Sequence, residues 1–221
     1  MKTRIVLFLE SLAELLGSRV WYCGWLILLL PLALLSKVRG RENIPMHHTA
    51  TRGLIIVANH LSYMDVPVIG TLFPPSRPIS FLGKKELFDV PILGTICKNG
   101  HMIAVERNKE HSTVNIRAVK QALTLLKNGG ALGIFMQGGI GWSDIKRSPI
   151  VLAERTNAVI LPIGLTQNVW FHTNAWKGVD IGPYQVTIGK PLTVSNLGDG
   201  NPETRAERLW YVICELSRPK A

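Results

Sequence analysis

The 221-residue sequence is poor in cysteine and in charged side chains, and its charge is unbalanced. Its three cysteines, Cys23, Cys97 and Cys214, stand far apart and form no Cys-x-x-Cys pair, which argues against a disulfide framework or a zinc site and favours a reducing compartment. Charged residues make up 18% of the chain, below the average of about 25%. The 25 Lys and Arg outnumber the 15 Asp and Glu, so the net charge of +10 favours anionic partners: nucleic acid, an anionic membrane or acidic small molecules.

The longest uncharged run is short for a membrane-spanning helix. Residues 20–36 carry no charge, and a helix of that length rises about 25 Å, less than the roughly 30 Å of a bilayer core. Pro31 lies inside the run and would kink or end the helix. Residues 5–16 precede it as an apolar helical pattern with a polar stripe at Glu10 and Glu14. Together the two segments predict a helical hairpin that lies in one leaflet of a membrane.

Basic residues flank this apolar run. Arg19 precedes it, while Lys37, Arg39 and Arg41 follow it, and each can contribute about 1 kcal/mol near anionic headgroups. Their position favours a cytoplasmic location for the folded body. A signal peptide is disfavoured because no small-residue cleavage site follows Leu35. A single spanning helix and a buried helix of a soluble protein remain as alternatives.

From residue 41 onward, short apolar runs alternate with amphipathic segments. The runs are mostly continuous, as expected for strands covered on both faces; they predict strands over 53–59, 78–83, 102–106, 131–136, 159–165 and 184–189. Helices are predicted over 112–128 with Ser112 as N-cap, from a Ser148 cap with Pro149 at the first position through Arg155, and over 201–217. The pattern predicts an α/β domain over 41–221, with a largely parallel central sheet flanked by helices, preceded by the membrane-associated hairpin over 1–40.

The strongest candidate for chemistry follows the first of these strands, at residues 59–65 (NHLSYMD). A carboxylate at Asp65 can accept the Nδ1–H of His60 across a tight turn, which leaves Nε2 able to take a proton from a substrate hydroxyl. The alternatives are a capping box formed by Ser62 and Asp65 and an ordinary loop histidine. No Gly-x-Ser-x-Gly sequence occurs, so a covalent serine mechanism lacks its nucleophile.

Residues 59–65 resemble the His-x4-Asp motif of the glycerolipid acyltransferases, of the lysophosphatidic acid acyltransferase type. Residues 83–94 (GKKELFDVPILG), with Gly100 and residues 105–107 (VER), are similar to the second conserved block of that family, and residues 159–163 (VILPI) to its fourth. The resemblance covers nearly the whole chain. It implies that His60 and Asp65 form the catalytic pair. It also implies substrate contacts at Asn59, Ser62, Lys84, Glu86, Pro91, Gly94, Arg107, Gln137, Gly138 and Pro162.

The third block departs from the family pattern. Where the family carries Phe-Pro-Glu-Gly-Thr-Arg, residues 135–140 read FMQGGI. Gln137 retains hydrogen-bonding atoms but lacks the negative charge of the family glutamate. Ile140 lacks the guanidinium that can bind a phosphate through two parallel hydrogen bonds. The departure indicates an acceptor other than lysophosphatidate, a poorly active member, or a charge supplied by Lys146 and Arg147 from the next loop.

The resemblance implies a membrane-bound O-acyltransferase of phospholipid biosynthesis. Such an enzyme moves a fatty acyl group from acyl-acyl carrier protein or acyl-CoA to a glycerolipid hydroxyl, for example that of 1-acyl-glycerol-3-phosphate. We expect it at a bacterial inner membrane, bound to anionic lipids, with the catalytic domain on the cytoplasmic face.

No cofactor is implied beyond the thioester co-substrate, and the histidines show no metal-ligand spacing. The alternatives are a family member with another acceptor, a thioester or lipid hydrolase that uses the same His-Asp pair, and a basic binding module without chemistry. The sequence shows no nucleic-acid-binding motif, which disfavours a nucleic-acid partner.

Overall fold

A computed structural model of the chain describes residues 36–45, 52–74, 76–91, 93–106, 112–140, 144–169, 171–172 and 180–218. The predicted hairpin over residues 5–36 lies outside the described residues except for Ser36, and Arg107 lies outside them too. None of the helices within the described ranges combines the length and the apolar character needed to cross a membrane.

The described residues form one large sheet and one short ribbon. The strands are, in chain order, β1 (Lys37–Arg39), β2 (Leu54–Ala58), β3 (Ile79–Lys84), β4 (Ile103–Val105), β5 (Ala131–Phe135), β6 (Val159–Gln167), β7 (Phe171–His172), β8 (Asp180–Ile181) and β9 (Tyr184–Ile188). The sheet has the order β1-β9-β6-β2-β5-β3-β4, and β7 pairs with β8. Within the sheet, β6 and β9 are antiparallel and all other neighbours are parallel. The predicted largely parallel sheet is confirmed, and each of the six predicted strands is present.

Helices flank the sheet. They are α1 (Asp65–Gly70), α2 (Leu93–Asn99), α3 (Thr113–Lys127), α4 (Ser148–Thr156) and α5 (Pro202–Leu216), with 3-10 turns at Arg41–Asn43, Lys85–Asp89 and Val194–Leu197. The predicted cap of α3 is confirmed, because the Ser112 hydroxyl accepts a hydrogen bond from the backbone N–H of Asn115 at 3.2 Å. Asn201 caps α5 in the same way through Thr204, at 2.8 Å.

The predicted cap of α4 is wrong. Ser148 is the first helical residue, Arg147 occupies the N-cap position, and no side chain caps this end. The N–H groups of Ile150 and Val151, which a Ser148 hydroxyl would have accepted, both donate to the Arg147 carbonyl instead. Pro149 nevertheless lies in the first turn, as expected.

Strand β2 separates two apolar cores, and all five of its residues are buried. Ile55 and Val57 face the core that α3, α4 and α5 cover, whereas Leu54, Ile56 and Ala58 face the core that includes the buried side of α1. This burial on both faces explains why the sequence of β2 is continuously apolar.

The sheet begins before residue 41. Residues 37–39 form its edge strand β1, which pairs with residues 185–187 of β9. These residues belong to the segment that the sequence assigns to the N-terminal hairpin over 1–40. The division into a hairpin and an α/β domain stays a prediction, because residues 1–35 lie outside the described ranges.

Candidate active site

His60 lies two residues beyond the end of β2, where parallel strands bring their carboxyl ends to one edge of the sheet. Its ring is only 9% exposed and stacks on Phe135 at the end of β5, with ring centroids 3.9 Å apart and planes at 9°. Its backbone N–H donates to the side-chain oxygen of Gln137 at 2.7 Å. The end of the neighbouring strand and the turn after it therefore hold this histidine on two sides.

The predicted contact between His60 and Asp65 is present. Nδ1 of His60 lies 2.7 Å from Oδ2 of Asp65, the first residue of α1, whose side chain is completely buried. The same oxygen accepts the backbone N–H groups of Leu61 at 2.6 Å and Ser62 at 3.0 Å. A carboxylate at this position selects the tautomer with hydrogen on Nδ1 and leaves Nε2 as the accepting atom of the ring.

The capping box expected from Ser62 and Asp65 is only half present: Oδ2 of Asp65 accepts the N–H of Ser62 at 3.0 Å, but the reciprocal bond to the Ser62 hydroxyl is replaced. The Ser62 hydroxyl accepts from the N–H of Met64 at 3.2 Å and from that of Asp180 at 3.0 Å, whereas the N–H of Asp65 donates to the Ser62 backbone carbonyl. The N-cap position of α1 is Met64, and no side chain caps it. Ser62 therefore joins the turn after β2 to strand β8.

Tyr184 at the start of β9 is a member of this site that the sequence reasoning missed. It is 1% exposed, and its hydroxyl donates to Oδ1 of Asp65 at 2.8 Å. Burial, followed by the negative charge of Asp65, raises the pKa of Tyr184 well above its usual value, so the phenol keeps its proton and acts as a donor. The alternation of buried and exposed residues along β9 contains a signal for it. Tyr184, Val186 and Ile188 are the buried residues of this strand, and Tyr184 is the one among them with a polar group. A buried tyrosine hydroxyl needs a partner.

The side chain of Asn59 joins the end of β2 to β6 through hydrogen bonds. Its side-chain NH2 donates to the carbonyl of Leu165 at 2.9 Å, and its side-chain oxygen accepts the N–H of Leu165 at 2.7 Å and the hydroxyl of Ser217 at 3.2 Å. It thereby fixes the point where the chain leaves β2 one residue before His60.

The third block forms a tight turn beside His60. Gly138 has φ +69°, a conformation that glycine adopts without strain. The side chain of Lys146 passes over this turn, so a Cβ at position 138 would lie 3.1 Å from its Cε. The expectation that Lys146 and Arg147 could both supply charge is not supported for Arg147, whose guanidinium is paired with Glu203 on α5. Lys146 lies near Asp144 at 3.9 Å; the Lys146 side chain is partly exposed and that of Asp144 is exposed.

Four further candidates lie on β3 and on the segments that follow it. Lys84 ends β3, two strands from β2 and so roughly 10 Å across the sheet, and is half-buried. Glu86 and Pro91 are exposed on the segment that follows. Gly94 is explained by packing, because a Cβ there would clash with the carbonyl oxygen of Phe88.

Pro162 faces the other side of the sheet. It pairs in register with Val57, whose side chain belongs to the core under α3, α4 and α5, while the Phe135 ring beneath His60 belongs to the opposite core. The structure therefore does not bring Pro162 together with His60. Within the described ranges, no three His, Cys, Asp or Glu side chains are close enough to hold a metal ion.

The arrangement around His60 suits proton abstraction. A nearly buried imidazole is oriented by an anionic carboxylate that itself receives hydrogen bonds at both oxygens. When the imidazole takes a proton, the adjacent carboxylate stabilises the resulting cation. This is the chemistry of a general base.

Comparison with known proteins gives a consistent family. The family model described as "Acyltransferase" matches residues 36–166. The 1-acyl-sn-glycerol-3-phosphate acyltransferase of Bacillus subtilis is 30% identical over 161 residues, which cover 71% of this chain and 73% of the relative. The enzyme of the same name from Saccharomyces cerevisiae is 26% identical over 194 residues, which cover 85% of this chain and 60% of that protein.

A solved structure has the same fold. The crystal structure of the 1-acyl-sn-glycerophosphate (LPA) acyltransferase PlsC from Thermotoga maritima superposes with a TM-score of 0.66 at 21% sequence identity, over 98% of this chain and 89% of that one. The family match covers more than half of the chain and contains His60, Asp65 and the third block. The chain therefore belongs to the Acyltransferase family.

Proposed function

We propose that this acyltransferase moves a fatty acyl group from an acyl thioester, acyl-acyl carrier protein or acyl-CoA, to a hydroxyl of a glycerolipid such as 1-acyl-glycerol-3-phosphate. The observation that carries the proposal is the 2.7 Å hydrogen bond between Nδ1 of His60 and Oδ2 of Asp65. The names of the curated relatives support the choice of acceptor.

The reaction proceeds by direct attack. Nε2 of His60 removes the proton of the acceptor hydroxyl, and the oxygen bonds to the thioester carbonyl carbon. The tetrahedral intermediate then expels the thiolate as the C–S bond breaks, and the proton held on His60 passes to the leaving sulfur. Asp65 holds the ring and stabilises the imidazolium between the two steps, and base catalysis of this kind contributes about 10²–10⁴-fold.

Two basic side chains in the described part of the chain, both on strands or loops near the sheet edge that carries His60, are candidates for binding the acceptor phosphate. Lys84 ends β3, and Lys146 passes over the Gly138 turn at the end of β5, the strand between β2 and β3. Arg107 joins them as a candidate from the resemblance. Phosphate contacts from such cations agree with the net charge of +10.

We also propose that the enzyme works at a membrane, with residues 5–36 as the anchor and the catalytic domain on the cytoplasmic face. Lys37, Arg39 and Arg41 support this, because they follow that segment directly and are exposed. Exposed cations at this position can contact anionic headgroups.

A different acceptor is the second candidate, and Ile140 is the observation that favours it. The family arginine is absent there, while Gln137 still makes the contact to His60 that a glutamate could also make. The double variant Gln137→Glu with Ile140→Arg separates the two candidates. A gain on lysophosphatidate indicates the usual acceptor, and a loss on the preferred acceptor indicates another one.

A reconstituted transfer assay tests the proposal. The purified full chain is given an acyl thioester with a labelled acyl group and 1-acyl-glycerol-3-phosphate in detergent or vesicles, and we expect labelled phosphatidic acid. Asp65→Asn is the control and should form almost none. Labelled fatty acid released at a rate independent of any acceptor would mark a hydrolase. Absence of both products with either donor and with other lysolipids would exclude the proposed activity.

A further inference from the structure

The Asp65 carboxylate is bound through both of its oxygens, and the two sets of donors come from different parts of the chain. Oδ2 accepts from His60 and from two backbone N–H groups of the turn after β2. Oδ1 accepts from Tyr184, which is 119 residues away on β9. Both the carboxylate and the phenol are buried, at 0% and 1% exposure.

Packing of the apolar core does not by itself explain the hydroxyl group of Tyr184. A phenylalanine would pack the same ring among Val186 and Ile188 without burying a polar group, and a buried hydroxyl is costly unless it is hydrogen-bonded. The acidic groups that act on Tyr184 are Asp65 on α1 and Asp180 on β8, and both raise its pKa, so the phenol stays a donor.

A donor on Oδ1 has two effects on His60. It prevents rotation of the carboxylate, because turning the group would break hydrogen bonds at both oxygens. It also draws part of the negative charge of Asp65 toward Oδ1, which weakens the attraction between the carboxylate and an imidazolium.

We propose that Tyr184 is a positioning residue for acyl transfer: its hydroxyl holds Asp65 through Oδ1, and Asp65 in turn holds His60 in the tautomer that leaves Nε2 as the proton acceptor. The inference rests on the proposed general-base role of His60. It assigns a function to a side chain of β9 that the His-x4-Asp motif does not contain.

Tyr184→Phe tests this, with Tyr211→Phe as the control because Tyr211 is 65% exposed on α5. We expect kcat to fall about tenfold, as for loss of a hydrogen bond to a charged group, with the KM of both substrates unchanged. The acid limb of the pH–rate profile should move to higher pH, because Asp65 regains charge and favours the imidazolium. If Tyr184 only packs the core, this limb stays where it is.

A double-mutant cycle identifies the path of the effect. If Tyr184 acts through Asp65, then Tyr184→Phe should cause little further loss of kcat in the Asp65→Asn background. If Tyr184→Phe lowers kcat by the same factor with Asp65 present as with Asn at position 65, the proposal is wrong.

An isosteric variant covers the case in which Tyr184→Phe does not fold. Incorporation of 3-fluorotyrosine at position 184 retains the hydroxyl and makes it a stronger donor. The acid limb should then move to lower pH, opposite to the phenylalanine variant. No shift, or a shift to higher pH, contradicts the proposal.

Nitrogen NMR of ¹⁵N-histidine protein separates this inference from the proposed function. The His60 signals are assigned by their loss in His60→Ala. At a pH at which the His60 ring is neutral, the wild-type ring should carry its hydrogen on Nδ1. Tyr184→Phe should increase the share with hydrogen on Nε2. If the wild-type protein transfers no acyl group, the proposed function is wrong, but the tautomer measurement still tests the role of Tyr184. If the tautomer of His60 is unchanged in Tyr184→Phe, Tyr184 does not have that role.

Discussion

The side chain of Asn59 pairs with the backbone of Leu165 in both directions, as one residue of a strand pairs with another. The amide NH2 donates to the Leu165 carbonyl at 2.9 Å, and the amide oxygen accepts the Leu165 N–H at 2.7 Å. The β2–β6 ladder has its last backbone pair at Ala58 and Ile163. Asn59 thus extends the ladder while its own backbone turns away toward His60.

Replacement of Asn59 by Ala should therefore lower stability as well as activity. Two buried backbone groups of Leu165 lose their partner, which we expect to cost about 2–4 kcal/mol of unfolding free energy. Thermal melts and KM values provide the test, with Asn128→Ala as the control because Asn128 is exposed at the end of α3. A raised acceptor KM with an unchanged Tm would instead indicate the substrate contact that the family resemblance implies.

Replacement of His60 by Ala should abolish transfer and leave the fold intact. The ring is the proposed general base, so we expect a loss of about 10²–10⁴-fold in kcat, measured with the labelled thioester. The control is His101→Asn, chosen because His101 is exposed and has φ +51°, a conformation that Asn tolerates better than Ala. Near-normal turnover by a folded His60→Ala protein would exclude the mechanism.

Substitutions at Gln137 should separate hydrogen bonding from charge. Gln137→Met removes the oxygen that accepts the His60 N–H at 2.7 Å, so we expect about a tenfold fall in kcat. Gln137→Glu keeps an acceptor there and should retain more activity than the methionine variant. Equal rates for the two variants would show that the contact to His60 has no effect on catalysis.

Lys84 and its neighbour Lys85 offer a matched test of phosphate binding. Lys84 is half-buried at the end of β3, whereas Lys85 is exposed at the start of the 3-10 turn. A hydrogen bond to a charged group is worth about 1.5–3 kcal/mol, so Lys84→Ala should raise the acceptor KM about 10- to 150-fold. Lys85→Ala should leave it unchanged, and equal effects of the two changes would contradict a specific role for Lys84.

Deletion of residues 1–35 should release the protein from membranes, because the longest apolar run lies there. The measurement is co-sedimentation with vesicles of anionic or neutral lipid. In the full chain, replacing Lys37, Arg39 and Arg41 by Ala should weaken binding to anionic vesicles by about 1 kcal/mol per cation and leave binding to neutral vesicles unchanged. A truncated protein that still sediments with both lipids would place the anchor elsewhere.

The sequence was informative where structure depends on local pattern. Apolar runs, most of them continuous, predicted six of the seven strands of the large sheet, and Ser112 correctly predicted the start of α3. The short strand β1 was missed because its Lys37 and Arg39 are exposed at the edge of the sheet and leave no apolar pattern. Ser148 was misread because the N-cap preference of serine does not determine which residue first adopts helical geometry.

The pairing of His60 with Asp65 could be inferred from sequence because the two residues are five positions apart and a single turn brings them together. The partners that hold this pair could not be inferred in the same way. Gln137 is 77 residues from His60, and Tyr184 is 119 residues from Asp65. Their contacts depend on β5 lying beside β2 and on β9 joining the sheet through β6, and strand order is set by packing of the whole domain rather than by any local pattern. The proposed base and its carboxylate can therefore be found from the sequence, whereas the distant side chains that hold them are evident only in the folded domain.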